Sequence, residues 1–421
     1  MDVAIIGAGT AGLEAARVLS ERGLAVELIE ATDYVGGRVR TVRARGAVPI
    51  ELGPEFVHGK PDLLRSLVPG ARFDLDAVRD IHHVQRRGAL VAMDDTWKRF
   101  AQLLRPAKHH ADESARAFIA RTKPAPDDAS LLAQLIEGFY GAPLDDISIR
   151  SVAEDAGGAG SGTESPAMFR VRGGYGHLVE WALSRITWRH VVVHHGCVVR
   201  GIDWSRDHVR IDFTRAGMTG VTYATRALVT LPVGVLHSNT VQFTPELGAH
   251  RDALAMIGMG QVVKVVLVAS EAVWPPQVSF IHAGDDTFPT YWVQSRGDVH
   301  QLTAWAGGPH ARALAGLSLD ALAARAIEGF GRLVAIPRAT LEAAIIARHR
   351  HDYDADPCSR GAYSYVRTGG GEAANVLAKP LGDRLYFAGE ATDPDLAGTV
   401  TGALRSGARA AQQILAAIGR P

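Results

Sequence analysis

The chain has 421 residues, more than one hydrophobic core ordinarily organises, so two domains or one domain with a large insertion are expected. Hydrophobic residues make up 47% and charged residues 21%, the balance of an ordinary globular protein and not of a disordered or fibrous one. Lys plus Arg (45) equals Asp plus Glu (45), so no global field exists to hold a phosphate backbone or an anionic membrane surface, and nucleic acid is not expected as a partner.

Residues Asp2 to Ile6 (DVAII) read as a short buried strand, apolar, β-branched and stopped by Gly7. The start at Asp2 leaves no room for a signal peptide, and no apolar run reaches the roughly 18 to 20 residues that span a bilayer, so a membrane anchor is not expected. Cys197 and Cys358 stand far apart without a ligand spacing, which points to neither a disulfide framework nor a metal site and fits a reducing, cytoplasmic setting.

After the first strand comes GAGTAGLEAARVLSERG, in which Gly7, Gly9 and Gly12 fall at GxGxxG spacing and open a helix with Leu13, Ala16 and Leu19 on one face. Gly7 serves the tight turn, Gly9 the approach of the backbone to a pyrophosphate, and Gly12 the packing of helix on strand. The helix N-terminus then faces the phosphates. A second strand, AVELIE, ends at Glu30, 18 residues after Gly12, where a carboxylate accepts hydrogen bonds from a ribose and disfavours a 2′-phosphate. Ala11 and Ala31 flank these positions and are expected on the same dinucleotide. This unit alone does not separate NAD from FAD.

The next segment, DYVGGRVRT from Asp33 to Thr41, resembles the GGR signature of FAD-dependent amine oxidases, the flavin monoamine oxidase and polyamine oxidase family. That resemblance implies FAD, with Gly37 and Arg38 at its phosphates. ELGPEFVHG, from Glu51 to Gly59, is similar to the family segment that runs along the isoalloxazine, which places Gly53, Pro54, Glu55 and Phe56 beside the flavin and His58 at the substrate. Phe169 onward (FRVRGGYGHLVEWAL) reads as the lead into a helix, followed by VVVHHGCVVRGIDWSRDHVRIDF as a pair of alternating strands. The family's adenine contact falls there at Val198. RALVTLPVGVL, from Arg226, resembles the return toward the substrate side, with Thr230 and Pro232 near the cofactor.

Arg384 to Ile414, RLYFAGEATDPDLAGTVTGALRSGARAAQQI, is similar to the family's second flavin segment in both pattern and spacing. It implies contacts from Gly389, Glu390, Thr399 and Val400, with a helix N-terminus aimed at the flavin edge where negative charge gathers on reduction.

Lys264 sits inside VVKVVLV, a run otherwise apolar. Burying an ammonium without a partner shifts its pKa or costs several kcal/mol, so the residue needs a reason. One alternative is an edge-strand lysine snorkelling to solvent. The other is the resemblance of GMGQVVKVVL to the family strand whose lysine holds a water near flavin N5 and assists reoxidation. RGAYSYVRTGG, from Arg360, is similar to the segment bearing an aromatic wall of the amine cage, here Tyr363, and Thr399 holds the place of a facing second aromatic. Lys264, Tyr363, Thr399 and His58 are therefore the expected catalytic set. The pattern is closer to polyamine oxidases and histone-demethylase-like members than to classical monoamine oxidases. Tyr353 replaces a usual tryptophan, and Ala362 replaces the cysteine that carries covalent flavin, which implies non-covalent FAD.

The expected fold is α/β: a doubly wound, Rossmann-like FAD-binding domain from 1–75, 169–235 and 372–421, and a substrate domain of mixed sheet plus helices from 76–168 and 236–371. In the latter, 76–168 reads as largely helical, with Pro124 and Pro126 in a connector and a GGAGSGTES run at its end, and 236–371 carries strands such as QVVKVVLVAS and YWVQSR. The expected activity is hydride removal from an amine's α-carbon to flavin, imine hydrolysis and hydrogen peroxide release, with a small amine and oxygen as partners. An L-amino-acid oxidase, a desaturase of the same fold, and a non-catalytic FAD-containing scaffold stand as alternatives. Neither the amine nor the oligomeric state is legible.

Overall fold

Strand alternation divides the first strand between two cores. In β1 (Val3–Ile6), Val3 and Ile5 join one apolar cluster while Ala4 and Ile6 join another on the opposite face. A strand buried on both sides belongs in a parallel sheet, and β1 is the middle of five. The order is Val191–His194, β2 (Val26–Ile29), β1, Arg226–Val229, Leu385–Phe387, all parallel. The computed structural model describes residues 1–43, 48–58, 61–71, 73–79, 81–86, 89–93, 96–158, 168–284 and 287–419.

Three helices cover one face of this sheet: α1 (Thr10–Glu21), Gly176–Arg185 and Val400–Ala417. The other face meets an antiparallel sheet of Met218–Ala224, Val209–Arg215 and Cys197–Asp203, which Gln242–Thr244 extends in parallel.

A second, seven-stranded sheet runs in the order Ile345–His349, Val262–Ala269, Val299–Gly307, Thr290–Arg296, Phe280–His282, His82–Arg86, Ala89–Met93. It is mixed, since Phe280–His282 and His82–Arg86 pair in parallel and their neighbours antiparallel. Val263, Val265 and Leu267 face the core under the Leu319–Val334 helix, while Val266 and Val268 face Ile50 and Leu52. Lys264 shares the second face, which directs it toward the Glu51–Phe56 segment.

Four expectations need correction. The stretch 76–168 is not wholly helical: its His82–Arg86 and Ala89–Met93 hairpin completes the second sheet, because His82 and Val84 take parallel partners on Phe280–His282. Val191 to Phe213 holds three strands, and the first of them pairs with β2 in the parallel sheet. Pro126 does not sit in a connector but opens the helix Pro126–Tyr140, where its missing N–H costs nothing. Residues beyond 235 also belong with the nucleotide-binding side, since Phe243, Leu247, Leu254 and Ile257 pack in its core. The GGAGSGTES run lies almost entirely outside the described residues.

The two helices that open on the central cavity, α1 and Val400–Ala417, touch backbone to backbone. A Cβ on Gly407 would lie 2.2 Å from the carbonyl oxygen of Ala11. Inside a helix, Gly→Ala ordinarily gains up to about 1 kcal/mol of propensity, but overpacking of this kind costs about 1–3 kcal/mol. Gly407→Ala is therefore expected to lower the thermal midpoint of the FAD-loaded protein. An unchanged or raised midpoint would show that the helices separate freely.

Candidate active site

A cavity of about 1320 Å³ opens at the carboxyl ends of the parallel strands and runs beneath the seven-stranded sheet. Gly7, Glu30, Thr230 and Gly389 follow four of those strands and line it, the placement that open α/β sheets give their ligands. The volume exceeds the range of roughly 300–1,000 Å³ for one small ligand, which leaves room for a dinucleotide and a substrate together.

At the nucleotide end the glycine turn is fixed by contact. A Cβ on Gly12 would meet the Gly7 carbonyl oxygen at 2.0 Å, whereas one on Gly9 would meet nothing within 4 Å. Gly12 thus packs behind the turn and does not line the cavity, and Gly9 presents open backbone toward it. Glu30 accepts from the Ala8 amide (2.7 Å) and from the amide and hydroxyl of Thr32 (2.9 and 2.8 Å), so its carboxylate is fixed at the rim with lone pairs left for a ribose. The Thr230 hydroxyl donates to Ile6 O at 2.8 Å and secures the turn. Ala11, Ala31, Gly37, Pro54, Val198 and Val400 line the same cavity. These residues fit a dinucleotide: open backbone at Gly9, a helix N-terminus behind it and an acid at the ribose position.

Two expected cofactor ligands are engaged with the protein itself. Arg38 donates to Glu390 Oε1 (2.9 Å) and to Ala362 O (2.8 Å). Glu390 also accepts from the amide and hydroxyl of Ser364 (3.2 and 2.6 Å) and from the Gly398 amide (2.8 Å). Glu390 lines the cavity and ties the Tyr363 segment to the mouth of the last helix and to Arg38. The Thr399 hydroxyl donates to Leu396 O (2.7 Å) and accepts from the Gly402 amide (2.9 Å), so it caps the helix and forms only a small wall of the site.

At the reactive end Lys264 is only 5% exposed, which rules out a snorkelling side chain. Its Nζ donates to Glu55 Oε2 at 2.8 Å and to Gly53 O at 3.1 Å. Glu55 Oε1 accepts from Arg170 Nε (2.8 Å) and Trp292 Nε1 (3.0 Å). Burial alone would raise the Glu55 carboxyl, but the Lys264 and Arg170 charges and their bonds outweigh it and hold it near 2. Glu55 is thus the counterion of Lys264. Arg170 and Trp292, absent from the sequence reading as site residues, complete that group.

Tyr363 lines the cavity with its hydroxyl donated to Phe139 O (2.7 Å), and burial raises its pKa well above the ordinary tyrosine value. His58 stands exposed at the cavity wall, 6.0 Å from the Phe56 ring and 5.4 Å from Phe139. Tyr353, the replacement for tryptophan, donates to Arg38 O at 2.9 Å and so fixes the GGR turn.

Residues 10–415 match the family described as flavin containing amine oxidoreductase, and the chain belongs to that family. Its cofactor is FAD, held without a covalent bond. The chain is 27% identical to human (Homo sapiens) lysine-specific histone demethylase 2 over 98% of its own length, but spans only 53% of that relative. It is 26% identical to polyamine oxidase 3 of Oryza sativa subsp. japonica, covering 97% of this chain and 88% of the other. Among solved structures, wild-type putrescine oxidase bound to putrescine superposes with a TM-score of 0.81 over 99% of both chains at 21% identity, a likeness of fold.

One buried acid near the site titrates in the neutral range. Burial lifts the Glu51 carboxyl from 4.5 to about 7, against bonds from Thr41 and Tyr175 and the Lys264 charge, which lower it. Its folded pKa lies above the unfolded one, so its contribution to stability is full below the unfolded value and is lost as pH rises through the folded one. Glu51→Gln is expected to flatten the dependence of the thermal midpoint between about pH 5 and 8. A variant midpoint that falls as steeply as the parent's would remove this role.

Proposed function

We propose that the chain oxidises a small amine, with oxygen as the final electron acceptor. The observation that carries this reading is the Lys264–Glu55 pair on the wall of the same cavity that holds the dinucleotide turn and Tyr363. FAD would supply an acceptor for the hydride that leaves the amine's α-carbon. Among the chain's own groups, Lys264 keeps two of its three donors on Glu55 and Gly53 and has the third for a water or a bound group. The Tyr363 face attracts an ammonium and, once water is excluded, orients its neutral form. Arg38, Glu390 and Ser364 hold that ring in place. The product is an imine that water hydrolyses, and with oxygen as acceptor the second product is hydrogen peroxide.

Only a neutral amine has the lone pair to support hydride loss, so the rate should rise with pH toward the pKa of the bound amine. No side chain is needed as general base. A methylated lysine on a peptide is the second reading, favoured by the likeness to a histone demethylase.

A panel of monoamines, diamines, polyamines and amino acids tests the reading. Under anaerobic conditions at least one amine should bleach the bound flavin, and in air the same compound should release peroxide. If none bleaches it, the chain is not an amine oxidase. Lys264→Met should slow reoxidation by at least about tenfold, or about 1.4 kcal/mol of barrier. A variant that reoxidises at the parent rate would leave Lys264 only a structural part.

A further inference from the structure

Glu55 serves two cations. Its Oε2 accepts from Lys264 Nζ at 2.8 Å and its Oε1 from Arg170 Nε at 2.8 Å, with Trp292 Nε1 as a neutral third donor at 3.0 Å. All three charged side chains are withdrawn from water, Lys264 and Glu55 being 5% and 6% exposed and Arg170 15%. Two cations against one carboxylate leave the group one positive charge in excess.

No further ion pair among the described residues absorbs that excess. Arg170 stands opposite Asp76 where the strands Met168–Val171 and Leu75–Ala77 pair, but the Asp76 carboxylate bonds Arg172 and Arg296. Arg170 Nη2 is buried without a hydrogen-bond partner among the described residues, and the guanidinium lies over the Phe56 ring, 4.6 Å from its centroid, a contact that leaves the charge intact. Other ion pairs on the cavity wall differ. Arg38 and Glu390 cancel one for one, and where Arg405 meets both Asp393 and Asp395 the second carboxylate is 72% exposed and screened by water. Lys264, Glu55 and Trp292 line the cavity, so the uncompensated charge sits at its reactive end.

We propose that Arg170, Glu55 and Lys264 act as one buried triad whose net positive charge favours the reduced form of the bound FAD, with Arg170 as a positioning residue that holds Glu55 between the two cations. Hydride removal breaks a C–H bond of the amine and carries two electrons and one proton to the cofactor, while the nitrogen lone pair becomes the second bond of a protonated imine. The cofactor leaves that step one negative charge richer, and a fixed positive charge in a dry wall lowers the cost of the gain. The inference builds on the amine-oxidase reading of this wall, but its test requires only that FAD be bound.

The midpoint potential of FAD reads this charge without any amine, by anaerobic titration of the loaded protein with dithionite against a reference dye. The measurement is made at pH 6, where Glu51, a neighbouring acid lifted by burial to about 7, is mostly protonated and adds little charge. Arg170→Gln deletes a cation and should lower the potential by at least about 30 mV, tenfold in the two-electron equilibrium. Glu55→Gln deletes the anion and should raise it by a comparable amount. Arg170→Lys keeps the charge and should stay within about twofold of the parent in the same equilibrium, even where it loses stability. Damage to packing does not produce shifts of opposite sign. An unmoved potential in either glutamine variant, or shifts of one sign in both, overturns the triad. Should Glu55→Gln fail to hold FAD, the comparison of Arg170→Gln with Arg170→Lys decides, and equal potentials in those two overturn it. Opposite shifts in a protein whose flavin no amine bleaches uphold the triad and defeat the oxidase reading, and bleaching by an amine with potentials unmoved does the reverse.

Discussion

An ammonium in the middle of an apolar strand has to find a counterion, and in this chain it finds Glu55. Taking either charge out of water costs several kcal/mol, so neither residue is tolerable in the interior without the other. The pair works only because Gly53 lets its segment approach: a Cβ there would lie 2.0 Å from the Arg38 carbonyl oxygen. One electrostatic requirement thus fixes the seven-stranded sheet against the loop that follows the dinucleotide unit, and the cavity is the space enclosed between them.

The same logic of engaged polar groups runs through the site. Glu390 draws Arg38, Ser364 and Gly398 together. Glu55 gathers Lys264, Arg170 and Trp292. Each carboxylate joins segments hundreds of residues apart in sequence, which is how four separated stretches converge on one cavity. At the wall, Lys264 has one proton beyond its bonds to Glu55 and Gly53, and Gly9 presents open backbone. Such a wall suits a reaction that moves a hydride and needs positioning and dryness more than acid–base catalysis.

The nucleotide end was legible because its signals are local. A β-branched run, three glycines at fixed spacing and a terminal acid can each be read within 30 residues, and the structure returns strand, helix, strand and Glu30 at the rim. Lys264 could be singled out because a charge in VVKVVLV is costly, but its partner could not be named, since Glu55 lies 209 residues away and only the fold joins them. That Thr399 also caps a helix and Glu390 also bridges segments could not be read, because residue type does not reveal which partners the fold brings to a polar group. His82, Trp97 and Phe280 carry no motif, and the hairpin that delivers His82 lies in a stretch whose pattern reads as helical.

The most direct test is a double-mutant cycle on the buried pair, with Lys264→Met, Glu55→Gln and the double variant compared by unfolding of the FAD-loaded protein. Glu55→Gln alone leaves a buried ammonium without its counterion and should cost about 3–5 kcal/mol, whereas adding Lys264→Met should recover a large part of that loss. Strictly additive effects would mean that the two charges do not depend on each other, and the organisation of the site around them would have to be abandoned.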